Sequence, residues 1–218
     1  MFHIHEIGAC WDGNTCIGAP LTNNTIYFQT VHETQMYYFN NVSGILDNQN
    51  PENPYQDYTK IFIPSCTGDL HWGSHNKQYN LDLNGQSLSW EIKHRGFDNF
   101  LSTLHYLQNN STIDFDSIEY LSVVGQSAGG YGILFALPYL IHLMPFSKVT
   151  MMSDSAIGAI TPHIFKTAVW NPDDNENTSW GVRSNLPKWV GIDEALLDSF
   201  VSNPALSVST IISKYCDT

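Results

Sequence analysis

The sequence predicts an α/β domain: a mostly parallel sheet with helices on both faces. Two observations predict it. Short β-branched and aromatic runs recur at Phe2 to Ile7, Lys60 to Ile63, Ile118 to Gly125 and Val149 to Met152, and apolar residues at helical spacing lie between them. Strands separated by helical segments pair in parallel, and ligands then bind beyond the carboxyl ends of the strands. The 218 residues suffice for one domain over 1–218, and no repeat or low-complexity block divides them.

In chain order, Phe2 to Ile7 reads as a strand running into the small-residue turn Gly8-Ala9-Cys10. Residues 22–54 are polar, Asn-rich and read as mostly loop. Lys60-Ile61-Phe62-Ile63, ended by Pro64, reads as a buried strand followed by a loop from Ser65 to Asn76. Gln78 to Ile92, split by Asn84-Gly85, alternates like a hairpin. Phe97, Phe100, Leu101, Leu104 and Leu107 predict a helix of about three turns, ended by Asn109-Asn110. Ile118 to Gly125 is then a strand that runs without a spacer into an apolar helix from Ser127 through Leu143. After the strand Val149 to Met152, residues 171–189 read as a polar insertion and Ala205 to Lys214 as a last strand.

Composition excludes some partners. Nine Lys and Arg stand against 21 Asp and Glu, a formal charge of −12, which repels phosphate backbones and anionic membrane surfaces, so nucleic acid is not an expected partner. The longest apolar stretch, Tyr131 to Phe146, is interrupted by Pro138, His142 and Pro145 and is too short for a membrane span. Met1 opens directly onto Phe2-His3-Ile4-His5 without the segments of a secretory signal, which leaves an intracellular chain or one whose front is missing. Cys10 and Cys16 flank the turn-rich Asp12-Gly13-Asn14; a small disulfide loop and free thiols are both compatible with that spacing. Asn-x-Ser/Thr sequons at Asn23, Asn41, Asn109, Asn110 and Asn177 do not decide the compartment in so Asn-rich a chain.

Gly125-Gln126-Ser127-Ala128-Gly129 matches the G-x-S-x-G nucleophile elbow, and it sits between a β-branched strand and an apolar helix, the context that motif requires. The fold class narrows to α/β-hydrolase-like, with Ser127 as the nucleophile. The helix start offers the Ala128 N–H to a developing oxyanion. The second donor comes from the loop after an earlier strand, for which Gly8-Ala9 is the small-residue turn in the right place. A serine needs a histidine base and an orienting carboxylate, in the chain order Ser, acid, His. Asp217, directly after the expected last strand, takes the acid position ahead of Asp154, which follows Met151-Met152-Ser153. The last histidine is His163, so the base is missing and the fold reads as incomplete at the C-terminus.

These residues resemble the pectin acetylesterase family, which includes Notum-like carboxylesterases. Gly8-Ala9-Cys10-Trp11 with Cys16 is similar to its oxyanion turn and the disulfide loop after it. The segment from Ile61 through Cys66-Thr67-Gly68-Asp69 to Gly73 resembles its active-site-facing loop, Gly125 to Gly132 its elbow, Asp154-Ser155 an Asp-Ser after its next strand, and Tyr215-Cys216-Asp217 the segment of its triad aspartate. The chain has Glu6-Ile7-Gly8 where the family usually has three glycines, and the family's histidine lies downstream of Thr218. The resemblance implies a serine carboxylesterase, a carbohydrate esterase or protein deacylase that is secreted, uses no cofactor and acts on an acetylated polysaccharide or acylated protein.

The rival is a catalytically inactive binding protein of the same fold. His3 with His5, and His71 with His75, are close enough in sequence to share a metal, but neither pair has a third ligand and no metal is expected. Trp11 and Trp72 lie beside the expected site and lean towards contact with substrate, while Asp69 reads as bonding within its own Thr67-Gly68 turn.

Overall fold

The computed structural model describes residues 1–6, 8–22, 44–110, 113–144, 148–156, 160–173 and 177–216. Its strands are β1 (Phe2–Glu6), β2 (Ile61–Pro64), β3 (His75–Leu83), β4 (Gln86–His94), β5 (Tyr120–Ser127) and β6 (Lys148–Asp154). Its longer helices are α1 (Gly96–Asn110), α2 (Ala128–Leu143), α3 (Glu194–Phe200) and α4 (Ser207–Cys216). Four strands form a parallel sheet in the order β2-β1-β5-β6, and β3 and β4 form a separate antiparallel hairpin. The architecture is the mostly parallel, α/β-hydrolase-like one that the strand and helix spacing predicts.

Register decides what is buried. Phe2 pairs with Ile61 and Val123, and Ile4 with Ile63 and Gly125, so these residues share one face, and Phe2, Ile4, Ile63 and Val123 meet Phe97, Phe100 and Leu104 of α1 and Ile133, Leu137 and Leu140 of α2 in one core cluster. The other face is also closed, with His3, Ser122 and Val124 buried. Both faces of a parallel sheet must be covered, and the near-continuous apolar run in β5 is the sequence expression of that.

The hairpin turns at Asn84 (φ 52°) and Gly85 (φ 80°), two successive left-handed residues as the tight I′ turn requires. α1 runs 15 residues, one turn beyond the three expected. The loop after β2 is shorter than expected, because β3 begins at His75.

One expectation is corrected. Ala205 to Lys214 is not a strand: a short turn at Pro204–Leu206 leads into α4. Val208, Thr210, Ile211 and Ile212 carry strand propensity, yet Ile211 is buried and its neighbour Ile212 packs on the same core. Adjacent residues point to opposite faces of a strand but can share the broad apolar face of a helix. The stretch read as a polar insertion also contributes to the core: Trp180 is 1% exposed, and Val182 and Leu186 join the main core cluster. Of the stretch read as loop after Thr22, residues 23–43 lie outside the described residues, and Gly44–Leu46 forms a helical turn.

Candidate active site

The sheet order reverses between β1 and β5, since the chain passes from β1 outward to β2 and later returns to β5 and β6. At such a switch point the loops leaving the two central strands diverge and open a crevice. Glu6 pairs with Ser127 at the carboxyl ends of these strands. The Gly8-Ala9 turn and the start of α2 therefore lie at the same end of the sheet, on either side of the switch point.

Ser127 has φ 54° and ψ −124°, a region that L-residues avoid and that surrounding structure must impose. Gly125 permits the turn: a Cβ there would overlap the Gly129 carbonyl oxygen and lie 2.8 Å from Gly130 N. Gly130 is equally confined, its Cβ position 2.8 Å from Ser153 Oγ and 2.5 Å from Ala156 Cβ. Ser127 is exposed, while Ala128 behind it is buried, so the strained turn lifts the hydroxyl out of the core. No side chain caps α2, which leaves its first N–H groups directed at the crevice.

Gly8 has φ 79°, and the turn is pinned just beyond it. Cys10 N donates to Gly68 O at 2.9 Å, Trp180 Nε1 to Cys10 O at 2.9 Å and Ser179 Oγ to Trp11 O at 2.8 Å. Cys10 and Cys16 are joined in a disulfide, with Cα atoms 5.1 Å apart, which decides between the two thiol states left open by the spacing.

The remaining catalytic expectations fare unevenly. Asp154 is exposed at the end of β6, paired in register with Gln126, and accepts from Ser155 Oγ at 2.9 Å. Asp217 lies outside the described residues, and the element leading to it is helix α4. Among the described residues no histidine or carboxylate is hydrogen-bonded to Ser127 Oγ. Trp72 departs from expectation: it is 3% exposed, stacks at 4.6 Å from Phe135 and donates from Nε1 to Tyr131 O at 2.9 Å, so it is core rather than contact surface. Trp11 is half-buried and packs against the same core.

Two polar residues that the sequence reading did not single out as important are wholly buried. Asp69 accepts from Thr67 Oγ1 (2.7 Å), His71 N (3.2 Å) and Gly96 N (2.8 Å); the first is the local turn bond expected, and the last reaches the start of α1. Burial pushes its carboxyl up to about 6 against the lowering pull of these donors. His94 donates from Nδ1 to Thr67 O at 2.7 Å and accepts at Nε2 from Tyr79 Oη at 2.8 Å; burial lowers its pKa to about 4, so it is neutral. The alternation Leu88, Trp90, Ile92, His94 along β4 was the available signal, because it places His94 on the apolar side.

Among the described residues, His3 and His75 of the two histidine pairs have other contacts. His3 packs edge-on against Phe62 at 5.3 Å and the side chain of His5 is not described; His75 Nδ1 bonds Thr178 O at 3.3 Å, apart from His71 in its buried loop. Cys10, Cys16 and His94 cluster closely, but the sulfurs bond each other and both His94 nitrogens are taken. A cavity of about 310 Å³ lined by Phe2, Ile61, Phe115, Ile118 and Leu121 opens at the amino ends of the strands, opposite Ser127. No described helix is long and apolar enough to cross a membrane.

Comparison with known proteins identifies the family. The family model for pectinacetylesterase matches residues 8–168. Palmitoleoyl-protein carboxylesterase NOTUM of Schmidtea mediterranea is 26% identical over 133 residues, which make up 60% of this chain and 22% of that protein. The chain thus matches less than a quarter of the length of that curated relative. No solved structure matches at comparable strength.

Proposed function

This chain belongs to the pectinacetylesterase family, and on that premise we propose that it is a serine carboxylic-ester hydrolase working through an acyl-enzyme on Ser127. The observation that carries the reading is the strained backbone of Ser127, φ 54° and ψ −124°, at the switch point of the sheet. A strained residue persists only where the fold over-determines it, and such strain clusters at functional sites.

In the reaction, Ser127 Oγ attacks the ester carbonyl and its proton passes to a base. The oxyanion accepts from the Ala128 N–H and the Gly8-Ala9 turn, which are fixed before substrate arrives and so cost no reorganisation. The tetrahedral intermediate expels the alcohol with a proton, and water attacks the acyl-Ser127 ester to release the carboxylic acid. Asp217 is the proposed orienting carboxylate, with Asp154 as its competitor. An acetyl group on a polysaccharide fits the family's name and a fatty acyl group on a protein fits that of the planarian relative; loops rather than the elbow decide between them. The Cys10–Cys16 disulfide supports a secreted protein, since such bonds persist in oxidising compartments.

A second reading, ester binding without turnover, is favoured by the lack of a histidine bonded to Ser127 among the described residues. Fluorophosphonate labelling followed by intact mass, beside p-nitrophenyl acetate turnover, separates the two. Hydrolysis predicts both signals in the wild-type chain and neither in Ser127→Ala. Signals that survive in Ser127→Ala overturn the assignment of the nucleophile, and a silent wild type supports a fragment or an inactive binding protein of the same fold.

A further inference from the structure

Resting on Ser127 as the nucleophile, we infer that Asp69 is a positioning residue whose buried carboxylate shapes the loop between β2 and β3 to hold the two oxyanion donors in register.

The loop has an improbable backbone. Gly68 (φ 61°), Leu70 (φ 58°) and His71 (φ 60°) are all left-handed, and two adjacent non-glycine residues stay there only when their surroundings impose it. The Asp69 carboxylate is what the loop closes around. Oδ1 accepts from Thr67 Oγ1 and His71 N, and Oδ2 from Gly96 N. Gly73 and Gly96 press so close to the carboxylate oxygens that neither has room for a Cβ. Two of these partners are backbone N–H groups, the third is a hydroxyl and none is a cation, and an ionised carboxylate, which only accepts, satisfies all three as donors. A residue serving only to cap α1 would need the Gly96 bond alone.

The loop touches both halves of the oxyanion site. On one side, Gly68 O accepts from Cys10 N at 2.9 Å, immediately after the Gly8-Ala9 turn. On the other, Trp72 Nε1 donates to Tyr131 O at 2.9 Å in the first turn of α2, and Leu70 O and the His71 ring close over Gly132. His94 braces the loop from β4 through Thr67 O. Donors contributed by two separate segments are thus referenced to one buried anion.

The test compares wild type with Asp69→Asn, Thr67→Val and Thr67→Ser. Asparagine keeps the size of Asp69 but turns an NH₂ towards one of its donors; valine removes the Thr67 hydroxyl and serine retains it. In Asp69→Asn, exchange of the Cys10 amide with deuterium is expected to quicken at least about tenfold while amides of Ile133 to Leu140 are unchanged. With p-nitrophenyl acetate, kcat should fall about 100-fold at constant KM, inhibition by phenylboronic acid should weaken in parallel, Thr67→Val should fall between, and Thr67→Ser should resemble wild type. Unaltered Cys10 exchange in both Asp69→Asn and Thr67→Val, or a rise spread evenly over α2, overturns the inference. If Asp69→Asn does not fold, Thr67→Val against Thr67→Ser decides it. A wild type without turnover removes the hydrolase reading, while the exchange measurement still decides the role of Asp69.

Discussion

Ser127 holds a backbone conformation that glycine adopts freely and serine does not. That strain has a measurable consequence. Ser127→Gly should be more stable to urea than Ser127→Ala by about 1 kcal/mol, although glycine normally costs stability through its unfolded-state freedom. Gly125→Ala should do the reverse, destabilising the chain by about 3 kcal/mol or more and abolishing fluorophosphonate labelling, because its Cβ meets the rigid backbone of Gly129 and Gly130. An Ala variant more stable than Gly at position 127 would mean that the elbow is relaxed. The elbow was legible in the sequence because its spacing encodes a backbone event within five residues. Asp69 was legible only in its Thr67 bond; of its two other donors, His71 N and Gly96 N, the one that reaches α1 lies 27 positions away, and nothing in a local window signals such a partner.

At the scale of elements, the hairpin and the loop after β2 are joined by a neutral histidine. His94, at the end of β4, bonds Tyr79 of β3 and Thr67 of the loop, and burial lowers its pKa from 6.5 to about 4. Between those values the unfolded chain takes up a proton that the folded chain refuses, so this contribution to stability is present above pH 6.5 and is lost as the pH falls towards 4. Asp69, raised to about 6, acts oppositely over an overlapping range: the folded chain binds its proton first, and stability rises on acidification. Comparing wild type with His94→Gln isolates the histidine, since Asp69 is common to both. The stability advantage of wild type should shrink from pH 7 to pH 4; a constant gap would mean that His94 titrates normally in the fold. The elements themselves were legible where period and punctuation agreed, as in Asn84-Gly85 between two alternating runs. α4 was misread because four β-branched residues outweighed the adjacency of Ile211 and Ile212, and whether both face one core depends on α2, against which the segment packs.

At the scale of the whole molecule, the sheet places the crevice and the net charge governs what reaches it. The order β2-β1-β5-β6 puts the switch point between β1 and β5, where the proposed site lies, and the alternation of strand and helix made that much readable before any contact was known. What enters the crevice must approach a chain of formal charge −12. Pectin, which the family's name suggests as a substrate, is a polyuronide, so chain and polymer repel each other over distances longer than any contact. The repulsion is screened within about 10 Å at about 0.1 M salt. For hydrolysis of acetylated polygalacturonate, kcat/KM should therefore rise about three-fold or more between about 0.01 M and about 0.15 M NaCl. Turnover of p-nitrophenyl acetate, which is neutral, should stay flat over the same range, because an uncharged ester does not feel the field. A polyuronide rate that falls with salt would mean that local cations steer the polymer in against the net charge. A rate that stays negligible at every salt concentration, beside brisk turnover of neutral acyl esters, would exclude polyuronides and point to the acyl-protein chemistry named for the planarian relative.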